Sequence, residues 1–392
     1  MILDKLFNLM AEKSASDIFI TAGVPIHIKI EGETLPINQQ SMEPAMIKRM
    51  AYEIMSPEQI ERFETSKEIN LSFGRRDLGN FRVNLFWQRN SVAIVVRFIQ
   101  GDIPTLESLK LPDTLANVIM EKRGLVLVVG ATGSGKSTTM ASMIDHRNRN
   151  RNGHILTIED PIEYLFKHRK SIINQREIGI DTLSWGEALK NAMRQAPDCI
   201  LIGEIRDQET MQAALAYAQT GHLCLATLHA NNAHHALNRI VNFFPLENRP
   251  LLYLDLAVAL KCIISQRLVR RPDGARLPAV ELLMNTRHVA ELIERGEISA
   301  VKEAMEQSLA PGSQTFEQDL FRLYRENVIP LDEALSHADS PTNLSWLINN
   351  SQIGGGTKDE PEHRKRPAII DFEATQPDGA SFSEFSLNLD DN

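Results

Sequence analysis

Eight consecutive residues limit the fold of this 392-residue chain more than any other stretch: Gly-Ala-Thr-Gly-Ser-Gly-Lys-Ser at positions 130–137. They fit the pattern G-x-x-x-x-G-K-[ST], which is specific only when a strand precedes it and a helix follows. The apolar run at 125–129 fits a strand buried on both faces of a parallel sheet, and residues 138–144 can continue as a helix. Such a turn directs backbone N–H groups and the positive end of a helix dipole at one point. The sequence therefore predicts a phosphate-binding loop.

The residue types in this loop suit a nucleoside triphosphate and its metal ion. The glycines let the backbone approach phosphate oxygens closely, where a Cβ would intrude. Lys136 supplies a mobile charge for the β- and γ-phosphates, and Ser137 offers a hydroxyl ligand to Mg²⁺. We therefore predict ATP and Mg²⁺ as cofactors, with the nucleotide bound by Gly130, Thr132, Gly133, Ser134, Gly135, Lys136, Ser137 and Thr138.

The order of predicted elements divides the chain. From about residue 125 onward, strands and helices alternate in the manner of a parallel α/β core. Residues before that point indicate a smaller α+β unit, with strands at 81–86 and 92–98. The helical pattern after residue 233 is interrupted only at 277–282. The predicted organisation is an amino-terminal α+β domain (1–100), a linker with two prolines (101–113), a P-loop domain with a helical carboxy-terminal part (114–350), and an acidic, disordered tail (351–392).

Charge and composition exclude several classes of protein. The formal net charge is −9, and the tail, with nine Asp or Glu against four Lys or Arg, accounts for −5 of it. The remaining body is mildly acidic, which argues against a general electrostatic grip on nucleic acid. Three widely spaced cysteines in apolar contexts indicate buried thiols in a reducing cytosol. No apolar run approaches the length of a membrane span, so we expect membrane contact only through partners.

Polar residues follow the predicted strands of the core. In an open α/β sheet the carboxyl ends of the strands form the ligand-binding edge, so Gly130, residues 159–163, Glu204 and His229 are expected to meet there. Glu204 occupies the strand-end place of a Walker B acid and can hold Mg²⁺ through water or polarise the attacking water. Gly203 precedes it where many such ATPases have Asp, so we expect the metal contact to be indirect. Glu163 is the other candidate base, and His229 is placed to sense hydrolysis.

Two further groups of residues are candidates for a nucleotide or metal site. Arg82 and Arg97, on strands of the first domain, can meet a nucleotide from outside the core domain, although either arginine alone is more often a surface residue. A zinc cluster around His234 and His235 is disfavoured because no cysteine accompanies them.

Four ordered segments together carry a family resemblance: residues 130–137, 158–163, 201–207 and 221–230. They resemble the Walker A, Asp, Walker B and His boxes of the type II/IV secretion ATPases, and most of all the PilT/PilU-type retraction ATPases of type IV pili, over about residues 1–345. The resemblance implies a RecA-like ATPase domain, a PAS-like amino-terminal domain and a homo-hexameric ring with nucleotide between the two domains. It also implies a cytoplasmic location on an inner-membrane pilus platform protein.

The same resemblance assigns roles to single residues. It implies that Lys136 and Ser137 bind phosphate and Mg²⁺, that Glu163 and Glu204 serve water activation and metal binding, and that His229 senses phosphate. It further implies that Arg82 and Arg97 act as arginine fingers, and those two roles depend mainly on the resemblance.

The direction of work follows from what the chain lacks and where it departs from the family. It begins directly with the small domain and has no C-x-x-C, which favours retraction over extension. The retraction motif A-I-R-N-L-I-R-E corresponds to His-Val-Ala-Glu-Leu-Ile-Glu-Arg at 288–295, where Ala290, Glu291 and Glu294 replace Arg, Asn and Arg. This departure is similar to the PilU group, accessory motors expected to work beside a PilT-type motor. The alternatives are a nucleotide-binding regulatory subunit without productive hydrolysis and, disfavoured by charge, a nucleic-acid translocase.

Overall fold

The computed structural model describes residues 2–13, 15–30, 32–75, 78–99, 102–308, 310 and 312–351. The predicted tail lies outside the described residues apart from Ser351, as does residue 101 of the predicted linker. Among the described residues, no helix combines the length and the apolar character that crossing a membrane requires.

The amino-terminal part is built on one antiparallel sheet of six strands, in the order β3-β2-β1-β6-β5-β4. Its helices and strands are α1 (Ile2–Glu12), β1 (Asp17–Ile20), β2 (His27–Ile30), β3 (Glu33–Pro36), α2 (Pro44–Tyr52), α3 (Pro57–Ser66), β4 (Glu68–Arg75), β5 (Gly79–Gln88) and β6 (Ser91–Ile99). Along β5, Phe81, Val83 and Leu85 are buried in the core with Phe7 and Phe63. Since successive side chains of a strand point to opposite faces, Arg82 projects from the other face.

The second part is organised around a seven-stranded sheet in the order β13-β12-β7-β11-β10-β8-β9. Its elements are α4 (Thr114–Ile119), β7 (Gly124–Val129), α5 (Lys136–Asn150), β8 (Gly153–Glu159), β9 (Ser171–Glu177), α6 (Trp185–Ala192), β10 (Cys199–Ile202), α7 (Gln208–Gln219), β11 (Leu223–Leu228), α8 (Ala233–Asn242), α9 (Arg249–Ala259), β12 (Leu260–Arg270), β13 (Arg276–Met284), α10 (Arg287–Glu294), α11 (Val301–Glu306), α12 (Phe316–Arg325), α13 (Leu331–His337) and α14 (Pro341–Ser351). Single-turn 3₁₀ helices lie at Met193–Gln195, Leu246–Asn248 and Ile298–Ala300.

Burial of both faces explains the continuous apolar strands of this sheet. Every residue of β7 and β11 is buried, as parallel strands covered by helices on both sides require. Alternate residues of β7 enter two different apolar clusters: Leu125, Leu127 and Val129 pack with α6 to α10, whereas Val126 and Val128 pack with α4 and α5. The predicted α/β class, with a parallel-sheet core and a separate α+β domain, is confirmed.

Strand β12 is the main departure from the sequence-based expectation. Residues 260–270 were expected to be helical, but they form an eleven-residue strand parallel to β7 and antiparallel to β13. The pairing with β7 ends at Ser265 opposite Val129, so residues 266–270 of β12 run on beside the loop that follows β7. A third apolar cluster packs Val269 at this overhang against α12 and α14. Residues 266–270 of β12 are therefore neighbours of the phosphate-binding loop. The local sequence pattern did not predict this contact.

Candidate active site

The predicted phosphate-binding loop connects the end of β7 to the start of α5 at Lys136. Gly133 and Gly135 have φ values of +77° and +88°, which residues with a Cβ rarely adopt. A Cβ on Gly130 would lie 2.6 Å from the carbonyl oxygen of Gln266, so only glycine lets the loop pack against β12. The Lys136 ammonium donates to the carbonyl oxygens of Gly130 and Ala131, each at 2.8 Å. Burial lowers the pKa of Lys136, and the charges of Glu204 and Glu163 oppose that shift.

A cleft of about 570 Å³ lies over this loop at the carboxyl ends of the strands. It is lined by Thr132, Gly133, Gly135, Lys136, Ser137, Thr138, Glu159, Glu163, Glu204 and His229, among others. The Ser137 hydroxyl donates to Glu163 Oε1 at 2.9 Å, and the hydroxyls of Thr138 and Tyr164 are 2.8 Å apart. The structure therefore brings both candidate carboxylates and the candidate sensor histidine to one space with the loop. Gly130 and Ser134 lie in the loop but do not line this cleft.

Glu204 follows β10 and is held from two sides. Arg206 Nε lies 2.7 Å from its Oε2, and His229 Nε2 lies 3.3 Å from its Oε1. The preceding Gly203 packs tightly against β8, since a Cβ there would lie 3.2 Å from the Cα of Glu159. An aspartate at that position would require the end of β8 to shift by a few tenths of an ångström, which is a physical reason for glycine in place of the usual acid.

Glu159 is a cleft carboxylate that the sequence-based reading did not select. It ends β8, and its Oε1 accepts hydrogen bonds from Thr157 Oγ1 at 2.6 Å and from Gln175 Nε2 at 3.2 Å. Burial raises the pKa of Glu159 to about 7, against the effect of those two donors. The sequence places Glu159 at this strand end, beside the Walker B strand, but the motif alone assigns it no role.

The two arginines are direct neighbours on the amino-terminal sheet, because Arg82 of β5 pairs in register with Arg97 of β6. Arg82 Nη1 lies 3.4 Å from Oε1 of the buried Glu177, which ends β9 in the second part of the chain. Arg97 Nε instead bonds Asp17 Oδ1 at 2.9 Å within its own sheet. Burial raises the pKa of Glu177, and the guanidinium of Arg82 counteracts that effect.

Both arginines line a second cavity of about 300 Å³, which shares Pro161, Glu163 and Tyr164 with the larger cleft. The structure therefore brings the arginines to one cavity with Glu163, whereas Glu204 lines only the larger cleft. It does not bring them into the cleft itself.

Comparison with known proteins gives a consistent result. The chain matches the family described as "Type II/IV secretion system protein" over residues 1–310. The chain belongs to this family. It is 48% identical over 349 residues to the type IV pilus ATPase PilU of Pseudomonas aeruginosa, covering 89% of this chain and 91% of that protein. It is 37% identical over 344 residues to the type IV pilus retraction ATPase PilT of the same organism, covering 88% of this chain and all of PilT.

A solved structure supports the same assignment. The crystal structure of the pilus retraction motor PilT with bound ADP superposes with a TM-score of 0.81 at 41% identity, over 87% of this chain and 98% of that one. The resemblance stated from the four boxes is thereby confirmed, and the chain is an ATPase of the type II/IV secretion family. The individual roles assigned to the site residues remain predictions.

In this secretion ATPase, Gln266 holds the phosphate-binding loop in place, and the sequence did not predict that role. Gln266 of β12 is 2% exposed, accepts from Thr139 Oγ1 at 2.7 Å and donates to the carbonyl oxygen of Ser134 at 2.8 Å. It thereby ties the loop to the first turn of α5. A glutamine inside a strand gives no local signal of this role, because the contact depends on β12 lying beside β7.

Proposed function

We propose that the chain is an Mg²⁺-dependent ATP-hydrolysing motor that powers or assists the retraction of a type IV pilus. The observation that carries the proposal is the single cleft in which Lys136, Glu163, Glu204 and His229 meet, in a chain 48% identical to a type IV pilus ATPase over most of its length. ATP is the proposed substrate because the phosphate-binding loop is intact and a related motor was solved with ADP bound.

The residues of the cleft fit nucleotide and Mg²⁺ by their chemistry. Lys136 and the backbone N–H groups at the start of α5 bind and orient phosphate oxygens. Mg²⁺ takes hard oxygen ligands, and the cleft offers the Ser137 hydroxyl, the Glu163 carboxylate 2.9 Å from it, and Glu204. When bound, Mg²⁺ would offset charge on the transferred phosphoryl group.

The carboxylates supply the remaining chemistry. Hydrolysis needs a water molecule held in line with the γ-phosphate. Glu163 and Glu204 face the cleft and can orient that water and accept its proton, while His229, 3.3 Å from Glu204, fixes the direction of that carboxylate. Arg82 and Arg97 would add positive charge from the neighbouring cavity when the wall between the two spaces changes shape.

The assembly and location are also proposals. We infer a cytoplasmic homo-hexamer that reaches the membrane only through its partners, docked on an inner-membrane pilus platform protein. The replacements at Ala290, Glu291 and Glu294 support an accessory role beside a PilT-type motor. The finding that PilU is 48% identical and PilT 37% identical points the same way.

The test has a biochemical and a cellular arm. Purified full-length chain is assayed for ATP turnover with Mg²⁺ and with EDTA, beside its Glu204→Gln variant. We expect turnover only with Mg²⁺ and only in the wild-type chain. No Mg²⁺-dependent phosphate release by the wild-type chain would overturn the hydrolytic function, whereas equal release by both proteins would remove Glu204 from catalysis. In cells, twitching motility is scored with and without a PilT-type motor. Retraction by this chain alone would remove the accessory assignment.

The alternative of a regulatory subunit that binds nucleotide without hydrolysis makes a different prediction. It requires ADP and ATP to bind while no phosphate is released under any metal condition. The presence of Lys136, Glu163 and Glu204 in one cleft argues for hydrolysis.

A further inference from the structure

The overhang of β12 past the end of β7 lies between two parts of the ATPase domain. On one side Gln266 donates to the carbonyl oxygen of Ser134 in the phosphate-binding loop and accepts from Thr139 in the first turn of α5. On the other side it packs against α12 and α14 through Val269, and its Arg270 backbone N–H donates to Glu333 of α13 at 2.7 Å. No catalytic role described above uses this second set of contacts.

Arg267, the residue after Gln266, is the centre of that second set. Its guanidinium donates to the carbonyl oxygen of His337 and to Asp339 Oδ1, and it lies 3.9 Å from the ring centroid of Phe316. It also donates to the carbonyl oxygen of Asn231 at 3.3 Å, in the loop that follows β11 and His229. One side chain therefore joins the His229 loop to the segment between α13 and α14.

Asp339 strengthens the same junction. Its Oδ2 accepts from Asn232 Nδ2 at 2.8 Å, and Asn232 also caps α8. Burial by itself would raise the pKa of Asp339, but the hydrogen bonds from Arg267 and Asn232 and the charge of Arg267 lower it overall. Asp339 is therefore ionised at neutral pH, and hydrogen bonds to a charged acceptor are stronger than neutral ones.

We propose that β12 couples the phosphate-binding loop to the helices α12 to α14. Gln266 moves with the loop to which it is bonded, and the adjacent Arg267 transmits that displacement to residues 337–339. Gln266 is buried and Arg267 is partly buried, with its side chain 20% exposed, so neither loses its hydrogen-bond partners without a penalty, and packed interiors transmit displacement rather than absorb it. A shift of the loop on nucleotide binding is thus passed along the two adjacent residues. The coupling rests on the proposed nucleotide site, and we expect nucleotide binding to change the stability of α13.

The test measures nucleotide-dependent amide hydrogen exchange in residues 331–340 of the full-length chain, with and without saturating ADP and Mg²⁺. In the wild type we expect ADP to slow exchange there by about threefold or more. In Arg267→Met, which keeps the length of the side chain, we expect ADP to bind with a Kd within about twofold of wild type and the slowing to be lost. Asp339→Asn, with nearly unchanged volume, should show the same loss, and Arg267→Lys should restore part of it.

The controls separate coupling from misfolding. Arg271→Met is a matched control, because Arg271 lies on the same hairpin but pairs with Asp273 instead, and we expect wild-type exchange. Gln266→Leu should act at the other end, raising the Kd for ADP by about tenfold through loss of two buried hydrogen bonds.

Two results would overturn the proposal: ADP leaving exchange at 331–340 unchanged in the wild type, or the slowing persisting in both Arg267→Met and Asp339→Asn. The readout needs ADP binding and not hydrolysis. An absence of ATP turnover would therefore refute the proposed function while the exchange result still decides the coupling.

Discussion

Two sets of residues border the candidate active site, and they differ in the number of contacts that hold them. The first wall is the phosphate-binding loop with the strand-end carboxylates, and the arginine wall is Arg82 with Arg97. The wall formed by the phosphate-binding loop is cross-linked from within the ATPase domain, through Lys136, the Ser137–Glu163 bond and Gln266. The arginine wall belongs to the other sheet and meets the ATPase domain at the ion pair of Arg82 with Glu177. The first wall is therefore preorganised for phosphate binding, whereas the arginines contribute to the cleft only after a rearrangement.

Within the arginine wall, the two side chains are unequal. The Arg82 side chain is 17% exposed and pairs with a buried carboxylate of the other domain, whereas that of Arg97 is 67% exposed and pairs with Asp17 of its own sheet. They are cross-strand neighbours of like charge, which is unfavourable unless each has a counter-ion. The resemblance assigned them one role, and the structure gives them different partners.

The largest expected effect tests the first wall. Glu204→Gln should lower kcat by about 10³-fold, because a general base or a charge next to the reacting phosphoryl group is lost, while the Kd for ADP changes little. The measurement is steady-state phosphate release beside nucleotide binding. Glu209→Gln, an exposed position on α7, is the matched control and should behave as wild type. Loss of activity in Glu163→Gln alone, with Glu204→Gln still active, would assign the base to Glu163.

The second test is Arg82→Ala, which should lower kcat by about 10²-fold with a smaller change in KM, as expected for charge that acts on the transition state. It also leaves Glu177 buried without its cation, at a cost of about 1–3 kcal/mol in the free energy of unfolding. Adding Glu177→Gln should recover the stability but not the turnover. Recovery of both would make Arg82 purely structural.

The third test is Arg97→Ala, for which we expect a decrease in kcat of about tenfold or less. The guanidinium of Arg97 is exposed, so water already screens its charge and weakens any effect on the transition state. Asp17→Asn is the complementary variant, because it releases Arg97 without removing it. Turnover at or above wild type is expected there. If Arg97→Ala were as damaging as Arg82→Ala, the contrast between the two arginines would be lost.

The sequence predicted those parts of the site that depend on local pattern. The phosphate-binding loop and its flanks, and the strand-end positions of Glu204 and His229, follow from the motif and from apolar runs over ten or so residues. The parallel orientation of β7, β8, β10 and β11 follows from the alternation of strands and helices along the chain.

What the sequence did not predict depends on contacts between distant segments. Gln266 supports the loop only because β12 lies beside β7, more than a hundred residues earlier in the chain. Glu177 opposes Arg82 only because β9 is the edge strand of the core sheet, next to the other domain. Tertiary packing decides both, and no helical or alternating periodicity encodes it.

The smallest expected effect concerns Glu159, the carboxylate of the first wall with a pKa of about 7. Its ordinary pKa is near 4.5, so between those values the folded chain holds a proton that the unfolded chain has released, and stability falls as pH rises through that window. Glu159→Gln stays neutral throughout. Relative to this variant, the wild type should therefore lose about 1–2 kcal/mol of unfolding free energy between pH 5 and pH 7.

Urea unfolding at pH 5, 6 and 7 measures this difference. Glu281→Gln is the control, because burial also raises the pKa of Glu281 to about 7 but that residue lies outside the cleft. Both variants should flatten the pH dependence, whereas only Glu159→Gln should change proton uptake on ADP binding, because phosphate charge raises the pKa of a neighbouring carboxyl further. Parallel stability curves for wild type and Glu159→Gln would mean that Glu159 is already ionised. The cleft would then present three carboxylates to the phosphates and depend more strongly on the arginines of the neighbouring cavity.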